Sequence, residues 1–231
     1  MIVMIAKKKE FYGGMGLMGS FIVVFVILFM PVFNGHNALN YMDQLYNSIS
    51  KGSAYYVPEL KKEAEKELNK TISVTLKMKD EKQARETVQI LIGAGAQVAL
   101  TGADLKVTGD LGKILTSVLD DTDLMFYNKG KELQAKHNMD ERQAFFNWYT
   151  VMKALDKDLT HQKKFAEAKV VATIIKKGVE CAYNYYKVEP QKIGEKAGIV
   201  IFSLVFYVIY TLWYGFAILF MFEGWGLKLE H

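Results

Sequence analysis

Few residues in this chain are equipped for chemistry: four histidines, a single cysteine, and carboxylates interleaved with lysines. A zinc centre needs ligands at short, regular spacing, such as two histidines one helical turn apart or paired cysteines. His36, His137 and His161 are each isolated, with no second histidine three or four residues away. His36 stands in Asn34-Gly35-His36-Asn37 at the edge of an apolar run, where it reads as an interfacial polar residue in preference to a metal or haem ligand. The apolar runs hold no histidine and no Cys-x-x-Cys-His occurs, so haem is not expected. Cys181 has no partner for an internal disulfide, and beside Ala182 it reads as a small buried hydrophobe, with intermolecular pairing as the alternative.

Glycine-rich stretches can cradle phosphate at a helix start. Gly93-Ala94-Gly95 and Thr108-Gly109-Asp110-Leu111-Gly112 lack both the Gly-Lys-Ser/Thr ending and the dinucleotide spacing, so a helix stop and a helix cap are the expected roles. Asp120-Asp121-Thr122-Asp123 lacks the glycine and the later glutamate of a calcium loop and reads as an exposed helical patch. No serine or cysteine nucleophile can be assigned a base from spacing alone. The expectation is therefore no catalytic residue, no cofactor and no metal, and a protein that is not an enzyme.

The strongest signal is hydropathy. Gly16 to Phe33 and Ala197 to Phe222 are uncharged throughout, and each reaches the roughly 18 residues a helix needs to cross a bilayer. Lys7, Lys8 and Lys9 could open a signal peptide, but the following run is longer than a usual signal core and Gly35-His36-Asn37-Ala38 is a poor cleavage site, so an uncleaved anchor is expected. The same lysines put both termini in the cytoplasm and the middle of the chain outside, against the weaker counter-signal of Lys192 and Lys196, with only Lys228 following the second run. The net charge of +4 comes from interleaved acids and bases with no basic stripe, so nucleic acid is not an expected partner.

Neither apolar run carries an ionisable residue of the kind that marks an ion path or proton relay. The candidate packing residues are the small pairs Gly16/Ser20 and Gly194/Gly198, at the spacing that lets helix backbones approach. In the second run Tyr207, Tyr210, Thr211 and Tyr214, with Ser203 nearby, are the polar side chains; at helical spacing they face a partner helix or line a pore.

Stepping along the chain, Ala38, Met42, Leu45 and Ile49 predict a helix continuing from the first apolar run, ended by Gly52-Ser53, and Pro58 starts a short charged helix. Ile72, Val74, Leu76 and Met78 alternate with polar residues as a strand. Asp80 caps a helix with Ala84, Val88, Leu91 and Ile92 on one side, and Val98–Leu100 and Leu105–Val107 form a hairpin across Thr101-Gly102-Ala103-Asp104. Gly109-Asp110 opens a helix bearing Leu111, Ile114, Leu115, Val118 and Leu119. After a cap at Asp140, Ala144, Trp148, Met152, Leu155 and Leu159 share a face. Phe165, Ala168, Ala172, Ile175, Val179, Ala182 and Tyr186 then keep a three-four rhythm that asks for a partner helix, expected to be the one spanning Ala38 to Ile49.

The expected class is an α+β membrane protein: two transmembrane helices (14–33 and 197–222) flank a soluble domain made of a helical stalk (34–70 and 121–190) and a three-stranded β-α-β-β-α unit (71–120), with short tails at 1–13 and 223–231. The expected function is a protein-binding or structural subunit of a membrane complex with an extracytoplasmic domain, its partners being lipid, copies of itself or other membrane subunits. The alternatives are a homo-oligomeric channel with a soluble cap, and an extracytoplasmic ligand sensor acting through a partner chain. Leu229-Glu230-His231 reads equally as native or appended.

Overall fold

The computed structural model describes residues 5–33 and 35–227, so expectations resting on Asn34, on Lys228 and on Leu229-Glu230-His231 lie outside the described residues. In chain order the elements begin α1 (Lys8–Phe29), α2 (Ala38–Ser53), α3 (Val57–Glu65), β1 (Thr71–Lys77), α4 (Glu81–Gly93), β2 (Gln97–Thr101) and β3 (Asp104–Asp110). They continue α5 (Leu111–Phe126), α6 (Gly130–His137), α7 (Glu141–His161), α8 (Phe165–Ile174), a π-helical turn (Ile175–Val179), α9 (Glu180–Asn184) and α10 (Ile193–Gly224). The chain is thus mostly helical with one small antiparallel sheet, and it divides into two compact units, Met1–Ile49 with Pro190–His231, and Ser50–Glu189.

The first unit holds α1 and α10, both long and apolar enough to cross a membrane. At 1.5 Å per residue the 22 residues of α1 match about 30 Å of hydrocarbon, and the 32 of α10 exceed it. The first apolar helix ends earlier than the sequence suggests, at Phe29 and not Phe33. Pro31 is the cause: it forces Met30 out of the helical region, to ψ 147°, and breaks the expected continuation into α2. Phe33 and His36 then exchange two backbone hydrogen bonds (3.0 and 2.9 Å) in a tight turn, and the Asn37 carboxamide accepts from Asn40 N–H to start α2.

The second unit is built on the sheet in the order β1-β3-β2, every pair antiparallel. Ile72, Val74, Leu76 and Met78 are buried on the core face, as their alternation predicts. A two-residue turn joins β2 to β3; Gly102 adopts the positive φ (61°) that a type II′ hairpin asks of its first central residue. Asp80, Asp110 and Asp140 all cap as expected, accepting from the N–H groups of Gln83, Lys113, and Arg142 with Gln143. On α4, Ala84 and Leu91 are buried as expected, but Ile92 is 57% exposed and Ile90 turns inward in its place.

Helix α5 sits at the centre of this unit, packed on α3, α6, α7, α9 and β3, while α7 packs on β1, α4 and α8. One continuous core therefore runs from Val57 to Tyr186. The expected division into an α/β head (71–120) and a helical stalk (121–190) gives way to a single domain, because α7 lies across the sheet and fuses the two. The rhythm from Phe165 to Tyr186 is answered inside the same unit, by α7, α3 and α5, and not by the Ala38–Ile49 helix. Ala168, Ile175, Val179, Ala182 and Tyr186 are buried as the spacing predicts, whereas Phe165 and Ala172 are exposed and Val171, Ile174 and Gly178 turn inward. The π-helical turn widens the inner face there by bringing both Ile174 with Ile175 and Gly178 with Val179 inward.

Candidate functional site

Helices α1 and α10 run antiparallel, with Lys7 N–H donating to Gly224 C=O (3.0 Å) at one end. The covered positions include Gly14, Leu17, Phe21, Val24 and Leu28 of α1, and Ser203, Phe206, Tyr210, Trp213, Ala217, Met221 and Gly224 of α10. Both sets recur at steps of three or four, the spacing that keeps two helices in contact along their length. The small residues that matter are Gly14 and Gly224. A Cβ on Gly14 would lie 2.7 Å from Met221 N and 2.9 Å from Ala217 O, and one on Gly224 would lie 2.6 Å from the Phe11 backbone.

The predicted small pairs take no part in that contact. Gly16, Gly194 and Gly198 have open space where a side chain would sit, and Ser20 turns its hydroxyl back onto the Gly16 and Leu17 carbonyls. The tyrosine stripe divides. Tyr210 stacks on Phe21 with ring centroids 4.5 Å apart, and Tyr214 meets the same ring at 5.2 Å. Tyr207 is 66% exposed, and Thr211 is exposed with its hydroxyl bonded to the Tyr207 carbonyl. Two polar contacts lock the pair and its flank: Trp213 Nε1 donates to Leu17 C=O (3.1 Å), and the Tyr46 hydroxyl of α2 meets Ser203 Oγ (2.7 Å).

In the Ser50–Glu189 unit the acidic run on α5 is not one exposed patch. Asp120 is surface-paired with Lys61 (2.6 Å), and Asp123 accepts from the Tyr55 hydroxyl (2.5 Å), but Asp121 is wholly buried. Its two oxygens accept from His137 Nε2 (2.5 Å), Trp148 Nε1 (2.6 Å) and Lys136 Nζ (2.7 Å), joining α5, α6 and α7. Burial pushes the Asp121 carboxyl up, and the bonds from His137, Lys136 and Trp148 outweigh it and hold it below its ordinary range. His137, isolated in sequence, thus has a partner in space.

A second buried charge closes the domain where the chain enters and leaves it. Lys51, at the end of α2, is 1% exposed, and Nζ donates to Asn128 Oδ1 (3.0 Å) and to the carbonyls of Tyr185 (3.0 Å) and Val188 (2.7 Å), over the Phe126 ring. Burial lowers the Lys51 pKa, and Glu189 and Cys181 oppose that. Asn128, left-handed at φ 60°, is the hub: its carboxamide also accepts from Lys187 N–H and donates to Val188 C=O and Glu189. Cys181 is half-buried and donates to Ala54 C=O at 3.3 Å, and burial raises its pKa.

The two edges of the sheet differ. On β1 the outward groups are occupied: Thr75 N–H donates to Asp158 of α7, and Ser73 C=O accepts from Gln162, the residue that ends that helix. On β2, among the described residues, no hydrogen bond reaches the side facing away from β3. Among the described residues, no group of three metal-ligating side chains comes together. Set against family models, curated proteins and solved structures, the chain finds no match in any of the three.

Proposed function

We propose that this chain is a membrane-anchored, non-enzymatic subunit whose Ser50–Glu189 domain stands on the extracytoplasmic side and binds protein, either another membrane subunit or copies of the same chain. The observation that carries the reading is the α1–α10 pair: two helices in antiparallel contact, charged only in their end turns, with apolar outward faces and their sequence ends brought together. Phe11, Tyr12 and Trp225 gather where α1 begins and α10 ends, the composition of a membrane–water boundary. The lysines before α1 favour the cytoplasm for that end. Asp121 and Lys51, two of the buried charges of the domain, serve its architecture: each has its bonding capacity taken up by neighbours in the fold.

Copurification of the full chain from native membranes in mild detergent tests this reading. A stoichiometric complex that survives dilution, of the chain with itself or with a second chain, is the expected result. A chain that runs as a monomer and retains no partner after chemical cross-linking in the native membrane contradicts it.

One observation favours a second reading, a channel formed by several copies: Tyr207 and Thr211 lie on the side of α10 turned away from α1. Conductance in planar bilayers that disappears in Tyr207→Phe or Thr211→Val supports that reading, and an inert reconstituted protein removes it.

A further inference from the structure

The outer edge of β2 is left without hydrogen-bond partners among the described residues. A two-residue hairpin turn makes Thr101 and Asp104 a hydrogen-bonded pair, and that alternation carries Ala99 opposite Lys106 and Gln97 opposite Thr108 in the same role. The backbone N–H and C=O groups of Val98 and Leu100 therefore point away from β3, where no bond meets them among the described residues. Edge strands are ordinarily blunted by charge, proline, a bulge or a covering element. On β1 that cover is present, supplied by Asp158 and Gln162. On β2 the sequence Gln-Val-Ala-Leu-Thr carries no charge and no proline, and Leu100 on its core-facing side is 42% exposed.

We propose that β2 pairs antiparallel with β2 of a second copy of this chain about a two-fold axis at Ala99, giving a six-stranded sheet in the order β1-β3-β2-β2-β3-β1. The register follows from the bonds available. Opposing Val98 with the second copy's Leu100, and Leu100 with its Val98, makes two hydrogen-bonded pairs, and the neighbouring antiparallel registers make one. The same register sets apolar side chains against apolar ones on the core side. On the wet side it sets Gln97 against Thr101, and it puts the small Ala99 opposite itself at the closer, non-hydrogen-bonded position. Such a contact is isologous and closes at two copies. This surface deepens the proposed function, resting on its self-association branch and naming the partner.

The test uses the full chain in lipid nanodiscs or mild detergent, with Cys181→Ala to remove the native thiol. Ala99→Cys is expected to form a disulfide-linked dimer under mild oxidation, since opposed non-hydrogen-bonded residues lie about 4.5 Å apart at Cα, within disulfide reach. Gln97→Cys alone is expected not to link, because its own symmetry mate lies about 13 Å along the strand. Mixed with Thr101→Cys chains it is expected to link. Ala99→Lys, on the solvent face, is expected to lower the dimer fraction about fivefold by opposing like charges, with an unchanged circular dichroism spectrum. A chain that associates equally with Lys at 99, or that links through Gln97→Cys alone, overturns the surface and leaves protein binding standing. A chain that is monomeric and without a partner overturns both.

Discussion

Asp121 and Lys51 are buried charges of the Ser50–Glu189 domain, each bonded to several parts of the fold. Removing one member of a buried charged network leaves the others unpaired away from water, so Asp121→Asn is expected to cost about 3 kcal/mol at neutral pH. The folded carboxyl titrates below its unfolded value, so its contribution is complete above the unfolded pKa and is lost as pH falls through the folded one. The gap between wild type and Asp121→Asn should therefore hold at pH 7 and close below about pH 4, read as denaturant midpoints of the whole chain in detergent. A gap that stays constant across that range would show that Asp121 contributes no charge-dependent stability. Lys51→Met keeps the stem and drops the three donated bonds; it is expected to cost about 2 kcal/mol and to speed amide exchange at Tyr185 to Val188 before the sheet is affected. Equal protection of those amides in the variant would remove the closing role assigned to Lys51. Asp121 was legible in principle, since it continues the Leu111, Ile114, Leu115, Val118 stripe by three residues. Its flanking aspartates suggested a solvated patch instead, and no spacing rule could bring His137 and Trp148, on two other helices, to the same carboxylate.

At the scale of elements, local patterns were readable wherever the cause was local. Alternation in β1, the three aspartate caps and the Gly102-Ala103 turn all stand where period and turn chemistry put them. Pro31 is an equally local signal: it restricts Met30 to extended backbone and ends the first apolar helix at Phe29. Which glycines pack was not legible, because any membrane-like helix is rich in small residues and only the partner's position chooses among them. That choice gives a contrast: Gly14→Leu drives a side chain into the α10 backbone and is expected to cost the helix pair about 2 kcal/mol, whereas Gly16→Leu faces open space and costs nothing. A disulfide between Phe21→Cys and Tyr210→Cys, in a Cys181→Ala background, reports the pair. It should form with Gly16→Leu and fail with Gly14→Leu, and the reverse pattern would place a different face of α1 against α10. The partner of α8 is illegible for a related reason: its rhythm declares that a helix must lie alongside, and only the folded domain identifies α7 and α3.

For the whole molecule, hydropathy carried most of what could be read, because uncharged runs of this length leave few alternatives, and function was the least legible because no side-chain constellation repeats a known chemistry. The central claim is that lipid is the solvent for α1 and α10 while Ser50–Glu189 folds in water. Alkaline extraction of membranes containing the full chain tests it most directly, since high pH strips peripheral proteins and leaves spanning helices in the bilayer. The chain is expected to stay wholly with the membrane pellet and to enter solution only with detergent. Its release by alkali, as a protein that stays folded and dispersed without lipid or detergent, would contradict the account.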